Sequence, residues 1–291
     1  MPFLSGKHMR VHQECLPCFR RQCLIALELG GINGGEGARM VEEALGEIRE
    51  ADLAKSPAHA TTRMHRALRR LMGRDPFREV KGRYNEKALA LYGGLRERVA
   101  GSGDPLHTAA RLAIAGNVID FGIYTSIDVE GTVGRALGEP LAVDHTGAFR
   151  RAVERAGDVL YLLDNAGEAA FDRLLIEELR ALGKEVTAVA KASPVINDCT
   201  AEDARQVGLE GVCRVVDNGS DSVGTILETT SPAFRELFAR AGLVISKGQG
   251  NFETLLEEER EVFFLFQSKC AVVSRVLGLP QGSMLLAGNR S

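Results

Sequence analysis

Apolar residues recur three and four positions apart over Cys18–Leu29, Ala38–Ala51, Thr61–Leu71 and Tyr84–Val99. This spacing places them on one face of a helix, so four helices are expected in the first third of the chain. Breaks containing glycine or proline separate them, at residues 30–35, Ser56-Pro57, Asp75-Pro76 and residues 101–105. Beyond residue 150 the pattern changes. Short apolar runs of strand length occur at Val159–Leu163, Val186–Ala190, Cys213–Val216, Leu243–Ser246 and Val262–Phe266. Helical spacing fills Phe171–Leu182, Ala201–Val207 and Ser231–Ala241, where Gly183 reads as a C-terminal stop, Ser231 as an N-cap and Pro232 as the first helical residue. Strands alternating with helices predict an α/β fold with a mostly parallel sheet covered on both faces. The composition shift near residue 110 predicts a helical N-terminal domain over 1–110 and an α/β catalytic domain over 111–291.

Sheets of this kind bind ligands just beyond the carboxyl ends of their strands. The first strand ends in Asp164-Asn165-Ala166-Gly167-Glu168, two oxygen-bearing side chains followed by an acid at a helix start. A buried, unpaired carboxylate is costly, and a hard cation is one partner that offsets the cost. An N-cap explains Asp or Asn before a helix equally well. The second strand leads to Lys191 and then to Asn197-Asp198-Cys199-Thr200. Asp198 reads either as a second carboxylate for the same cation or as a cap, and Lys191 either as a phosphate partner or as a solvated lysine. The third ends in residues 217–225, rich in backbone and hydroxyl donors, which fit a phosphate cradle or a plain turn. The fourth ends in Lys247-Gly248-Gln249-Gly250-Asn251, where the glycines allow close approach, Lys247 offers a point charge and Asn251 a donor and an acceptor. Earlier, Asn117 and Asp120 share one helical face after the apolar run Ala109–Ala115.

Bulk properties narrow the classes. The 291 residues are 45% hydrophobic and 26% charged, with a net charge of −3, which gives no electrostatic reason to expect nucleic acid or an anionic membrane. No apolar run approaches the length of a membrane helix, and His8, Arg10, His12 and Glu14 near the start do not make a signal peptide, so a cytoplasmic location is expected. The six cysteines then read as thiols or ligands. Cys15 and Cys18 have metal-corner spacing, with Cys23, Cys270, His12, His59 and His65 as further candidates, but packing or redox roles suit them too. Nothing in the pattern speaks to oligomeric state.

The ordered set Cys15-Leu16-Pro17-Cys18, Gly116-Asn117 with Asp120, residues 164–168, Asn197-Asp198 before Thr200, Lys247-Gly248 with Asn251 and Glu253, and Lys269-Cys270 resembles the damage-control phosphatases formerly called the DUF89 family, in its short archaeal and bacterial branch. The resemblance implies a helical region on a Rossmann-like three-layer α/β/α domain. It also implies a divalent ion, manganese, cobalt, nickel or magnesium, held by Asp164, Asn165 and Asp198. It puts phosphate and substrate contacts on Asn117, Asp120 and Lys247; the strand-end reading adds Glu168, Lys191 and Asn251. The implied activity is hydrolysis of phosphate monoesters of small metabolites, with Asp164, Asp198 and Lys247 catalytic and the phosphorylated metabolite as the partner. The Asp-x-Asp-x-Thr arrangement of a phosphoaspartate enzyme is absent, which favours direct attack by water. Two rivals remain in play: a Rossmann-like methyltransferase, disfavoured because one glycine and an acid replace its Gly-x-Gly loop, and a non-catalytic metal- or metabolite-binding protein.

Overall fold

The computed structural model describes residues 3–49, 52–118 and 129–291. The N-terminal helical spacing becomes α1 (Cys15–Leu29), α2 (Gly34–Arg49), α3 (Pro57–Met72) and α4 (Arg78–Ala100), followed by α5 (Pro105–Val118) and α6 (Val129–Gly138). The alternating region follows as β1 (Val143–Asp144), α7 (Thr146–Arg155), β2 (Asp158–Leu162), α8 (Glu168–Ala181), β3 (Glu185–Ala190), α9 (Ala201–Gln206), β4 (Arg214–Asp217), α10 (Pro232–Arg240), β5 (Leu243–Lys247), α11 (Gly248–Leu255), β6 (Val262–Gln267), α12 (Ala271–Leu277) and β7 (Met284–Gly288). All five expected strands form, with ends shifted by no more than one residue. Ser231 caps α10 through its hydroxyl, which accepts from the Phe234 N–H at 3.1 Å, and Pro232 opens the helix. Helix α8 begins three residues earlier than the spacing predicts, because Gly167, at φ 77°, turns the chain from loop into helix at once.

The strands form one sheet in the order β1-β7-β6-β5-β2-β3-β4. Strands β6, β5, β2, β3 and β4 run parallel; β7 is antiparallel to β6, and β1 parallel to β7. Side chains alternate faces along β6, and the packing follows that alternation. Phe263 meets Phe149 of α7 edge-on at 5.4 Å, whereas Phe264 and Phe266 pack on Phe252 of α11 at 5.3 and 4.8 Å. All three β6 phenylalanines are fully buried, each contributing roughly 1.5–3 kcal/mol of hydrophobic stabilisation. The sheet is thus the middle of a three-layer α/β/α fold.

The N-terminal helices share this core. One hydrophobic cluster runs from Leu4 to Ala287, and α4 packs on α8 and α9 while α5 packs on α8 and β6. Among the described residues no helix is long and apolar enough to cross a membrane.

His65 of α3 is buried, with Nε2 3.0 Å from Gln22 Oε1 of α1 and its ring against Phe77. Burial lowers its pKa to about 4 from an ordinary 6.5. A lowered histidine pKa stabilises the fold above the unfolded value, and that contribution is lost as pH falls, because the unfolded chain takes up the proton first. Relative to His65→Gln, the parent is therefore expected to lose about 2–3 kcal/mol between pH 6.5 and 4. Urea unfolding of both proteins across that range measures the difference; parallel curves would mean that His65 carries no such burden.

Candidate active site

Strand β2 lies between β5 and β3. The chain proceeds from β2 through β3 to β4 on one side and from β5 to β6 on the other. Connections that depart in opposite directions leave a crevice at the carboxyl ends of β2 and β5, the topological switch point. Asp164 stands two residues past β2. Gly248 opens α11 directly after β5 with φ +79°, and a Cβ there would lie 1.9 Å from Asp164 Oδ2. Glycine is required at 248 for both its conformation and its lack of a side chain.

The loop after β3 is stitched to the loop after β2. Asn165 and Asp198 form an isolated antiparallel bridge, the Ala166 N–H donates to Asn197 O at 2.9 Å, and the Cys199 N–H donates to Asp164 O at 2.7 Å. Ile196 holds φ 45°, a strained conformation for a β-branched residue, two positions before Asp198. Asp164, Asn165 and Asp198, expected together from two separate strand ends, are brought together at the switch point.

Their electrostatics are unfavourable without further positive charge. Burial, then the neighbouring charges of Glu168 and Asp198, push the Asp164 carboxyl well above its ordinary range, opposed by Lys269 and Lys191. Burial raises Asp198 to about 6. Its Oδ2 is buried without a hydrogen bond, although the Lys191 ammonium stands 3.5 Å away. Two amides brace the acids. Asn117 Nδ2 donates to Asp164 Oδ2 at 3.0 Å and Glu168 Oε2 at 2.9 Å; Asn165 Nδ2 donates to the same two oxygens at 2.7 and 3.0 Å. Asn117 Oδ1 accepts from the Gln267 N–H at the end of β6, at 3.2 Å. Asp120 lies outside the described residues.

Lys247 does not occupy the position expected of a phosphate ligand. Its side chain is fully buried, and its three protons have three internal acceptors: Glu168 Oε1 and Asp172 Oδ1, each at 2.6 Å, and Ala113 O at 2.9 Å. Burial disfavours the ammonium, but the two carboxylates outweigh it and raise its pKa. The same contact helps to hold Glu168 below its ordinary value against the opposing effect of burial. Asp172 is raised to about 7 by burial and also accepts from the Tyr161 hydroxyl at 2.9 Å. Lys247 thus anchors Glu168, whose other oxygen receives the two amides that hold Asp164. Asn251 likewise departs from its expected substrate role. Its amide donates to Leu163 O at 3.2 Å and Lys247 O at 2.8 Å, and it accepts from the Thr225 hydroxyl at 2.7 Å, so it ties strand ends together. Lys191 bonds to Gly224 O and faces Asp198 while nearly fully buried. In the third loop, the Ser220, Ser222 and Thr229 hydroxyls are 2.8 Å from one another in a closed triangle, satisfying themselves where a phosphate cradle was weighed.

One cation missed as a site residue is Lys269, just past β6. It is exposed and bears electrostatically on both Asp164 and Glu168. Its place at a fifth strand end was the signal that could have found it. Cys15, Cys18 and Cys270 line a cavity of about 200 Å³ together with Glu253, whereas Cys23 is in the core and His59 bonds to Ser56. Among the described residues, no group of three or more His, Cys, Asp or Glu side chains is placed to hold a metal ion; the switch-point set is two carboxylates and an amide.

Fold and site together define a Rossmann-like α/β protein with an acidic switch point. Residues 11–285 match the family described as the damage-control phosphatase ARMT1-like domain. A damage-control phosphatase of Pyrococcus horikoshii is 35% identical over 97% of this chain and 99% of its own, and one of Archaeoglobus fulgidus is 34% identical over 85% and 88%. The crystal structure of a DUF89 family protein from P. horikoshii superposes with a TM-score of 0.89, covering 97% of this chain and 100% of that one. The chain belongs to the damage-control phosphatase ARMT1-like family.

Substituting Lys247 by methionine keeps the stem but leaves Glu168 and Asp172 buried against each other without their cation. Breaking a buried ion pair costs about 3–5 kcal/mol, so Lys247→Met is expected to lower unfolding stability on that scale at neutral pH, as read by denaturant titration. A variant as stable as the parent but unable to turn over substrate would return Lys247 to the phosphate.

Proposed function

We propose that this protein is a metal-dependent phosphatase that hydrolyses phosphate monoesters of small, damaged or sugar-like metabolites. The observation that carries the reading is the meeting of Asp164, Asn165 and Asp198 at the switch point, where Asp198 Oδ2 is buried without a hydrogen bond and Asp164 faces two other acids. Such an oxygen-rich donor set fits manganese, cobalt, nickel or magnesium. The Asn165 side chain commits its nitrogen to Asp164 and Glu168, which leaves its oxygen for the ion. When bound, a divalent ion supplies positive charge to phosphoryl oxygens and acidity to water.

The remaining work belongs to the chain's own residues. Asn117 and Glu168 hold Asp164 in place. Asp198 offers a carboxylate to orient an attacking water. Lys269, exposed beside the acids, neutralises charge on the transferring group, the role first expected of Lys247. The names of the P. horikoshii and A. fulgidus relatives support the activity. The α/β region from residue 111 carries the chemistry, the helical region before it completes the scaffold, and the cytoplasm is the proposed compartment.

Hydrolysis of an aryl phosphate is expected to vanish on exhaustive chelation and to return with a divalent ion, and Asp164→Asn and Asp198→Asn are expected to lose most of both metal binding and turnover. Full activity in metal-free protein would sink the proposal. Lys269→Ala is expected to lower turnover by about tenfold or more while leaving metal affinity at or above that of the parent. Unchanged turnover in Lys269→Ala would remove that residue from the site.

A further inference from the structure

Helix α4 belongs to the N-terminal helical region, yet one of its side chains touches both the Asp164–Asn165 loop and α9, the helix that follows the Asp198 loop. Asn85 is 1% exposed. Its Oδ1 accepts from the Gly167 N–H at 2.7 Å, in the loop that carries Asp164 and Asn165. Its Nδ2 donates to Asp203 Oδ1 at 3.2 Å and to Gln206 Oε1 at 2.7 Å, on α9. Asp203 in turn closes the capping box on Thr200, accepting from the Thr200 N–H at 2.9 Å and the Thr200 hydroxyl at 2.6 Å, two residues after Asp198. One helical turn before Asn85, the Lys81 side chain is 4% exposed, and its ammonium lies 3.1 Å from Asp203 Oδ2 and 3.6 Å from Asp75 Oδ2. The two donors and one acceptor axis of a single amide are thus all used, and they span the gap between the loops.

We propose that Asn85, assisted by Lys81, is a positioning residue that sets the register of the Asp164–Asn165 loop against the Asp198 loop, and so tunes the affinity of the switch-point site for a divalent ion. The proposal rests on the metal reading above. The physical argument is one of leverage. Gly167 is the N-cap of α8 with φ 77°, so its N–H belongs to no helical turn, and Asn85 supplies the acceptor that fixes this loop. Asp203 fixes the second loop through Thr200. A rigid helix holding both gives the three ligands one geometry, and supporting hydrogen bonds of this kind typically alter metal affinity by about 10–100-fold when removed. The competing view is that the direct bonds between the loops, Ala166 N–H to Asn197 O and Cys199 N–H to Asp164 O, already suffice. In that case Asn85 and Lys81 merely dock α4.

The test is calorimetric titration of metal-free protein with Mn²⁺, using the full chain in parent, Asn85→Leu and Lys81→Met forms, with a buried core variant on α10, Phe234→Leu, as a control for general destabilisation. Asn85→Leu is expected to bind Mn²⁺ about tenfold more weakly. Lys81→Met, which keeps its stem and its packing, is expected to show a smaller loss in the same direction, and it carries the test should Asn85→Leu fail to fold. Phe234→Leu is expected to lower the melting temperature without changing affinity. Parent affinity in both α4 variants, or equal losses in Phe234→Leu, overturns the positioning role alone. A parent that binds none of Mn²⁺, Co²⁺, Ni²⁺ and Mg²⁺ overturns the metal reading, and the positioning role with it.

Discussion

Asp164, Glu168, Asp172 and Asp198 are all removed from water at one end of the sheet, and the cost of burying that much negative charge shapes everything around them. Burial raises three of the four above their ordinary range, whereas Lys247, Lys269 and the Asn117 amide hold Glu168 below its own. The protein answers with one ammonium on each side, Lys247 within the layer of α8 and Lys191 beneath Asp198. The amides of Asn117 and Asn165 then distribute the remaining acceptors. An arrangement with this residual imbalance is poor for stability and well suited to a site that receives a cation.

Close packing follows from that constraint. Gly248 lets β5 pass against the Asp164 carboxylate, where any Cβ would collide. Gly116 does the same for α5, since a Cβ there would come within 2.8 Å of the Phe171 side chain on α8. With α5 so close to α8, Asn117 reaches both Asp164 and Glu168. Helix α5 thus reaches the acids through Asn117, and α3 adds a pair of arginines, Arg66 and Arg69, that grip Asp221 of the third loop.

Much of this was legible in the chain. Continuous apolar runs located five strands and period-3.6 spacing the helices between them, because buried parallel strands must be apolar on both faces and their covering helices on one. The polar sets after those strands marked Asp164, Asn165 and Asp198, because a carboxylate at the end of an apolar strand needs a reason to be there. The patterning passed over β1, only two residues long, and β7. The reading of Lys247 as a phosphate ligand and of Asn251 as a substrate contact came from the same signal, a polar residue past a strand, whereas the structure gives both side chains internal partners. A lysine at a strand end satisfies that signal whether its stem points out to the crevice or back beneath the neighbouring helix.

Sequence alone determined the alternation of elements, the parallel sheet and the identity of the acids at its carboxyl edge, since each depends on local periodicity and on chemistry confined to a few adjacent residues. Tertiary structure decided the strand order that puts β5 beside β2 and so creates the switch point, and it decided which charges face one another. Lys247 meets Glu168 and Asp172 some 75 to 79 positions away in sequence, and Asn85 meets Gly167 across 82. Contacts at that separation leave no periodic trace, because what selects them is the closeness of α4, α5 and α8 over one sheet, a property of the packed layers.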